Sequence, residues 1–277
     1  MISGKTSLIA HIGFPTHSFK SPMIYNPYFE AEGIDAVVVP MSAPADGYAT
    51  LLKAVFALTN VRGALITMPH KVTSMDLVDT LSTTAQIAGS LNAIVKRPDG
   101  SLLGDMFDGE GFARGVTAKG LQIAGMRALI VGTGGVGCAI AASLAAAGAA
   151  ELALFDPRGG SADALAGRLL THYPEIRVST GSNDPAGWDL IVNASPLGME
   201  PGDPLPFDPS RLDPSSFVGE VVLNQEMTPL LMAAEARGCR VQIGLDMLFE
   251  QIPAYLEFFG YPTTTPARLR TLAAIRY

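Results

Sequence analysis

Short, continuous apolar runs alternate along this chain with longer stretches in which apolar residues recur every three or four positions. Runs bounded by turn residues suit strands buried on both faces of a parallel sheet, and the longer period suits helices packed against it. The N-terminal part reads as strand Leu8–Gly13, helix Ser21–Gly33, strand Ile34–Met41, helix Asp46–Asn60, strand Val61–Pro69 and a helix from about His70. Pro98-Asp99-Gly100 is a turn signal, so Asn92–Lys96 and Ser101–Asp105 form a predicted hairpin. A helix is expected from Asp108 to Lys119. Beyond it the pattern gives a helix near Ser161–His172, strands Ile176–Ser179, Asp189–Ala194 and Phe217–Leu223, helix Thr228–Arg237 and strand Arg240–Gly244. Glu200–Ser216 is rich in proline and reads as a loop. Strands alternating with helices predict an α/β fold.

The stretch Arg127–Gly148 sharpens that picture. An apolar strand runs into Gly132-Thr-Gly134-Gly135-Val136-Gly137, a small-residue helix follows, and a second strand, Glu151-Leu-Ala-Leu-Phe, ends at Asp156. In G-x-G-x-x-G the first glycine permits a tight turn, the second lets backbone approach a pyrophosphate and the third lets helix and sheet pack closely. The helix N-terminus, at Gly135 and Val136, offers free N–H groups to an anion. This is a Rossmann-type dinucleotide-binding half, with NAD or NADP as the expected cofactor. Asp156 would accept from a ribose 2′-hydroxyl and favours NAD, whereas Arg158, two residues on, would pair with the 2′-phosphate of NADP. The competing reading is a glycine-rich turn in another α/β fold.

Length allows one large domain or two ordinary ones in 277 residues. The expected division is an N-terminal α/β substrate domain over residues 1–107, a dinucleotide-binding domain over 108–238, and a C-terminal segment over 239–277. A net charge of -7 with no basic cluster argues against a nucleic-acid partner. No apolar run is long enough to span a membrane, and no signal-like segment is seen, so a cytoplasmic location is the default expectation. Cys138 and Cys239 are too few for a disulfide framework and are expected to be small packing residues.

Two places in the first half carry candidate chemistry, because ligands of α/β sheets bind beyond the carboxyl ends of strands. In Gly63-Ala-Leu-Ile-Thr67-Met-Pro69-His70-Lys71 a strand ends at a proline, and Lys71 is placed at the start of the expected helix. The dipole there disfavours a cation, which suits proton exchange near neutrality; a solvated surface lysine is the equal alternative. His70 is read as a surface or packing histidine. In Gly104-Asp-Met106-Phe107-Asp108-Gly109, Asp108 opens a helix, which by itself suits an N-cap, yet a carboxylate near Lys71 would hold the ammonium in place.

These segments resemble the shikimate/quinate dehydrogenases, and the resemblance runs over nearly the whole chain. Gly13-Phe-Pro-Thr-His-Ser-Phe-Lys-Ser-Pro22 is similar to the substrate motif G-x-P-x-x-H-S-x-S-P, and Thr67-Met-Pro-His-Lys71 to T-x-P-x-K. Asn92 fits the substrate asparagine and Asp108-Gly109 the end of N-T-D-G. Asn193-Ala194-Ser195-Pro-Leu-Gly-Met199 is similar to the nucleotide-side N-A-T-S-x-G-M. Asp246-Met-Leu-Phe-Glu-Gln251, just after Gly244, is similar to G-M-L-x-x-Q. The resemblance implies Lys71 and Asp108 as an acid–base pair. It implies Ser21, Thr67, Asn92 and Gln251 as substrate contacts, and Gly132, Gly134, Gly135, Val136, Gly137, Asp156, Arg158, Asn193, Ala194, Ser195, Met199 and Gly244 around the nucleotide. It also implies that the C-terminal segment 239–277 returns to the first domain through its helical part Leu245–Phe259, so that Gln251 reaches the substrate. No metal is implied, and the partners are a small cyclic hydroxy acid and a monomeric or homodimeric state.

Departures lie at the substrate side. Phe19 stands in place of the motif's first serine, Leu65 in place of a strand asparagine, Met106-Phe107 in place of N-T, and Leu223 where a substrate-contacting tyrosine is expected. Asp156-Pro157-Arg158 replaces the asparagine–arginine pair usual in NADP-dependent members. These changes point to a divergent member with weak shikimate activity or a less hydroxylated substrate. The alternatives are a methylene-tetrahydrofolate dehydrogenase-like enzyme and a non-catalytic nucleotide- or metabolite-binding module.

Overall fold

The computed structural model describes residues 2–17, 19–223 and 225–275. The fold is α/β, with two six-stranded sheets in two compact units. The first unit comprises Met1–Ala85, Gly89–Phe107 and Ile252–Tyr277, and the second Gln86–Ala88 and Asp108–Gln251. Residues 239–251, expected to begin the returning segment, therefore belong to the second unit, and only the chain from Ile252 belongs to the first.

In the first unit β1 (Ser7–Gly13) lies parallel between β2 (Ala36–Ser42) and β3 (Val61–Ile66). The predicted hairpin is β5 (Ala93–Lys96) and β6 (Leu102–Asp105), which pair antiparallel, with β5 antiparallel to β3 and the two-residue β4 (Thr80–Leu81) parallel to β6. Helix α1 (Pro22–Ala31) opens on a proline, whose missing N–H is no loss at that position. Its Asn26 clamps β2 by donating to the Val38 carbonyl and accepting from the Val38 N–H, at 3.0 and 2.8 Å. Helix α2 (Tyr48–Ala57) buries Tyr48, Leu52, Val55 and Phe56.

One predicted element is different. No α-helix starts at His70; residues 68–72 turn, and a 3-10 helix covers only Thr73–Leu77. The His70 ring is stacked on Tyr48, centroids 3.7 Å apart, and its Nε2 bonds the Ala43 carbonyl at 2.8 Å. That buried anchor turns the chain inward, and the segment must then run extended into β4. The short helix α3 (Thr83–Ala88), capped by Ser82 accepting from the Ala85 N–H, follows.

The second unit has strand order β12-β11-β10-β7-β8-β9, all parallel: β7 (Arg127–Val131), β8 (Glu151–Phe155), β9 (Arg177–Thr180), β10 (Leu190–Asn193), β11 (Phe217–Glu220) and β12 (Arg240–Gln242). The order reverses between β7 and β10, the place where such sheets open a crevice for ligands. Helices α4 (Asp108–Ala118), α5 (Gly135–Ala146), α6 (Ser161–His172) and α7 (Pro229–Ala236) flank the sheet, and α8 (Gly244–Phe259) and α9 (Pro266–Leu272) end the chain. Gly109 lets α4 and α5 touch: a Cβ there would sit 2.0 Å from the Ala139 carbonyl oxygen. Cys138 and Cys239 are buried free thiols, as packing roles require.

Candidate active site

In the second unit the glycine turn is built as the sequence demands. Gly132 has φ +100, a left-handed value that glycine alone adopts readily. A Cβ on it would lie 2.6 Å from the Ser195 nitrogen, so the turn and the loop after β10 are in backbone contact at the switch point. A Cβ on Gly137 would lie 1.9 Å from the Gly132 carbonyl oxygen, which pins the start of α5 under the turn. Gly134 has open space where its Cβ would be and supplies the extended N-cap of α5, with Gly135 and Val136 in the first turn. Backbone donors and a bare glycine at a helix N-terminus form a cradle that fits a dinucleotide pyrophosphate.

Asp156 and Arg158, read as rivals for the ribose, are partners. The Asp156 carboxylate accepts from the Thr133 N–H at 2.8 Å and from its hydroxyl at 3.1 Å, and from Arg158 through Nε and a terminal nitrogen at 2.8 and 2.9 Å. The Arg158 hydrogen bonds, helped by those of Thr133, hold this carboxyl well below the usual range despite burial. Its side chain is 4% exposed and that of Arg158 65%. The guanidinium is thus the accessible part of a neutral pair.

The loop after β10 rests on a buried carboxylate that sequence reasoning missed. Asn193 Nδ2 donates to Glu220 Oε1 at 2.8 Å and to the Leu197 carbonyl at 2.9 Å, and the Thr228 hydroxyl donates to Glu220 Oε2 at 2.5 Å. Burial pushes the Glu220 carboxyl up, with the Thr228 and Asn193 bonds opposing. The Asn193 Oδ1 in turn accepts from the Ser195 hydroxyl at 2.6 Å. Ala194 packs by Gly137 and Met199 is exposed. Gly244 is required at the head of α8, where a Cβ would sit 2.0 Å from the Val222 carbonyl oxygen. The same unit holds Asp108, buried as the first residue of α4 rather than the residue before it, and Gln251. Gly111 of α4 lies against Gln251, whose Oε1 is buried without a hydrogen-bond partner.

In the first unit the relevant groups gather beyond β1 and β3. Gly13 ends β1, where a Cβ would meet Thr67 Cγ2 at 2.4 Å and Phe19 Cζ at 2.9 Å. Phe14–Pro15 and Met68–Pro69, one at each strand end, are cis. Lys71 follows in a turn, its carbonyl accepting from the Leu91 N–H at 3.0 Å. With no α-helix starting there, the dipole argument for its reactivity lapses. Asn92 is buried, and its Oδ1 accepts from the Phe107 N–H at 2.9 Å, holding the backbone next to Asp108. Ser21 precedes α1, and Leu65 is buried in β3 opposite His11 of β1. Phe107 packs on Tyr255, centroids 4.7 Å apart. Leu223 is exposed; Ser18 of the first motif lies outside the described residues. Among the described residues no cluster of three or more His, Cys, Asp or Glu could hold a metal, and no helix is long and apolar enough to cross a membrane.

Residues 12–94 match a family model described as the shikimate dehydrogenase substrate binding domain. A shikimate dehydrogenase (NADP(+)) of Rubrobacter xylanophilus is 36% identical over 277 residues, 98% of this chain and 97% of that one. The crystal structure of shikimate 5-dehydrogenase from Listeria monocytogenes in complex with shikimate and NAD superposes with TM-score 0.90 at 27% identity, covering 98% of this chain and 97% of that one. The ligand-free 5-ketofructose reductase of a Gluconobacter strain superposes with TM-score 0.89 at 26% identity, covering 98% and 99%.

Proposed function

Because this chain belongs to the shikimate dehydrogenase family, a group of NAD(P)-dependent oxidoreductases acting on CH–OH, we propose that Lys71 and Asp108 are its acid–base pair and that its substrate is a cyclic hydroxy acid of the shikimate or quinate type. The glycine cradle at the β7/β10 switch point is the observation that carries this reading. Gly132, Gly134, Gly135, Val136 and Gly137 would hold the pyrophosphate, and Asn193, Ala194, Ser195, Met199 and Gly244 would hold the nicotinamide part. When bound, the nicotinamide supplies the hydride acceptor, or the donor in the reverse direction. Oxidation of a carbinol also releases the hydroxyl proton; the Lys71 amine takes it at Nζ and returns it in reduction. Asp108 orients Lys71 and accepts from a neighbouring substrate hydroxyl. Ser21, Thr67, Asn92 and the orphaned Gln251 oxygen fix the ring so that the reacting carbon is held in place.

Arg158 is the exposed group at the ribose end, and pairing with Asp156 leaves its outer edge free for a 2′-phosphate, while Asp156 still opposes that charge. We infer that both cofactors bind. Phe19, Leu65 and Leu223 each remove one polar partner, worth about 1–3 kcal/mol where a ligand group goes unpaired, so shikimate binds orders of magnitude more weakly than in members that keep them. A second reading is an uncharged ketone, such as the one in the name of the Gluconobacter reductase: the Phe19 ring stands where the motif has a hydroxyl that could donate to a substrate carboxylate. Steady-state assays with shikimate, quinate and 5-ketofructose, each with NAD(H) and NADP(H), test the function. Turnover of neither acid overturns it, turnover of 5-ketofructose alone leaves the second reading, and a low-micromolar shikimate KM overturns the divergence. A cytoplasmic monomer or homodimer completes the proposal, checked by light scattering.

A further inference from the structure

One buried polar group in the first unit has no part in the mechanism above. His11, in β1, is 6% exposed and faces Leu65 across the sheet. Its ring is stacked on Phe19, centroids 3.9 Å apart and planes 22° off parallel. Its Nδ1 is buried without a hydrogen-bond partner. Leaving a buried nitrogen unpaired is destabilising, and a packing position could be filled more stably by an aromatic hydrocarbon. The surroundings give the reason for keeping it. Phe19 and the Thr67 methyl both crowd Gly13 at the end of β1, and burial, followed by the nearby Lys71 charge, keeps the imidazole neutral. Phe19 also stands where the resembling motif has serine, so His11 is the polar group beneath the ring that replaced a hydroxyl.

We propose that His11 is a specificity-determining residue, whose Nδ1 hydrogen-bonds an uncharged hydroxyl or carbonyl oxygen of the substrate when the half-buried Phe19 ring moves aside. The inference rests on the dehydrogenase reading above and adds a contact to its substrate half. A neutral imidazole has one donor and one acceptor nitrogen, so either tautomer can serve a hydroxyl. A charged imidazole pairing with a carboxylate is disfavoured, because the cation would be buried beside the Lys71 ammonium.

The test measures kcat and KM for shikimate, quinate and their singly deoxygenated analogues, with wild type and His11→Phe. In the variant, KM for the better parent substrate rises about tenfold, the worth of roughly one hydrogen bond, while kcat stays within about twofold. One deoxy analogue loses affinity in wild type but loses nothing further in the variant, a coupling that a merely structural role would not produce. An unchanged KM, or equal losses for every analogue in both proteins, overturns the proposal. Should the variant fail to fold, the imidazole nitrogen resonances of wild-type His11 decide instead. They shift on saturation with shikimate or quinate if Nδ1 gains a partner, and stay put if it does not. Wild type that turns over a parent substrate while His11 is silent defeats this inference alone; wild type that neither binds nor converts either acid defeats the proposed function and this contact with it.

Discussion

Acid should weaken the first unit through His11 in a calculable way. Burial, with the Lys71 charge adding to it, lowers this imidazole from its ordinary 6.5 to about 4. As pH falls below 6.5 the unfolded chain takes up a proton that the folded chain refuses, so stability is complete above the unfolded value and is lost on the way down to about 4. Each pH unit between the two values is worth about 1.4 kcal/mol. Relative to His11→Phe, which has nothing to titrate, wild type loses about 1 kcal/mol by about pH 5.5 and about 2–3 kcal/mol by about pH 4.5. Urea unfolding followed by circular dichroism, at several pH values and with both proteins, reads the difference and cancels the carboxylates they share. Tryptophan fluorescence is the wrong probe, because the single tryptophan, Trp188, lies in the second unit. A wild-type-minus-variant difference that is flat from neutrality to pH 4.5 refutes the burial argument.

The glycine turn and the ribose end give sharper local tests. Gly137→Ala forces a Cβ to within 1.9 Å of the Gly132 carbonyl oxygen, so it lowers both the melting temperature and nicotinamide-cofactor affinity, the latter by about tenfold or more. Gly134→Ala has room in the free protein and should leave the melting temperature within about a degree or two of wild type while still weakening the cofactor, read by calorimetric titration. Asp156→Asn removes the charge that opposes a 2′-phosphate and loosens Arg158; the NADP-over-NAD affinity ratio is expected to rise about tenfold, and an unchanged ratio would mean the pair plays no part in the choice.

The parts of this protein that could be read from its residues are those where geometry leaves one solution. Gly132 and Gly137 are such cases: a left-handed turn and a sub-contact approach admit no side chain, and the spacing of the two announces the fold around them. The hairpin at Pro98-Asp99-Gly100 is another. Three-dimensional partners decided the rest. His70 looked like a helix start, but its ring found Tyr48 and the Ala43 carbonyl, residues far along the chain, and the helix became a short 3-10 turn. Asp156 and Arg158 are two residues apart and were weighed as competitors, although a carboxylate and a guanidinium at that spacing can simply pair. Glu220 and His11 sat inside apolar strand patterns, where a single polar residue gives no sign of what it meets across the sheet. A buried acid or imidazole amid a strand is the signal that could have found both. The Ser82 cap of α3 is legible too, as Ser-Thr-Thr before an apolar turn.

Proton transfer by Lys71 is the step on which the proposed reaction depends. The most direct measurement is kcat of Lys71→Ala beside wild type, with the substrate that wild type converts best and with cofactor affinity determined separately. The expected result is a kcat lower by about 10²–10⁴-fold, the usual range for removing a general acid–base group, with cofactor affinity unchanged. A variant that keeps kcat within about twofold of wild type contradicts this role for Lys71, since another group would then be moving the proton.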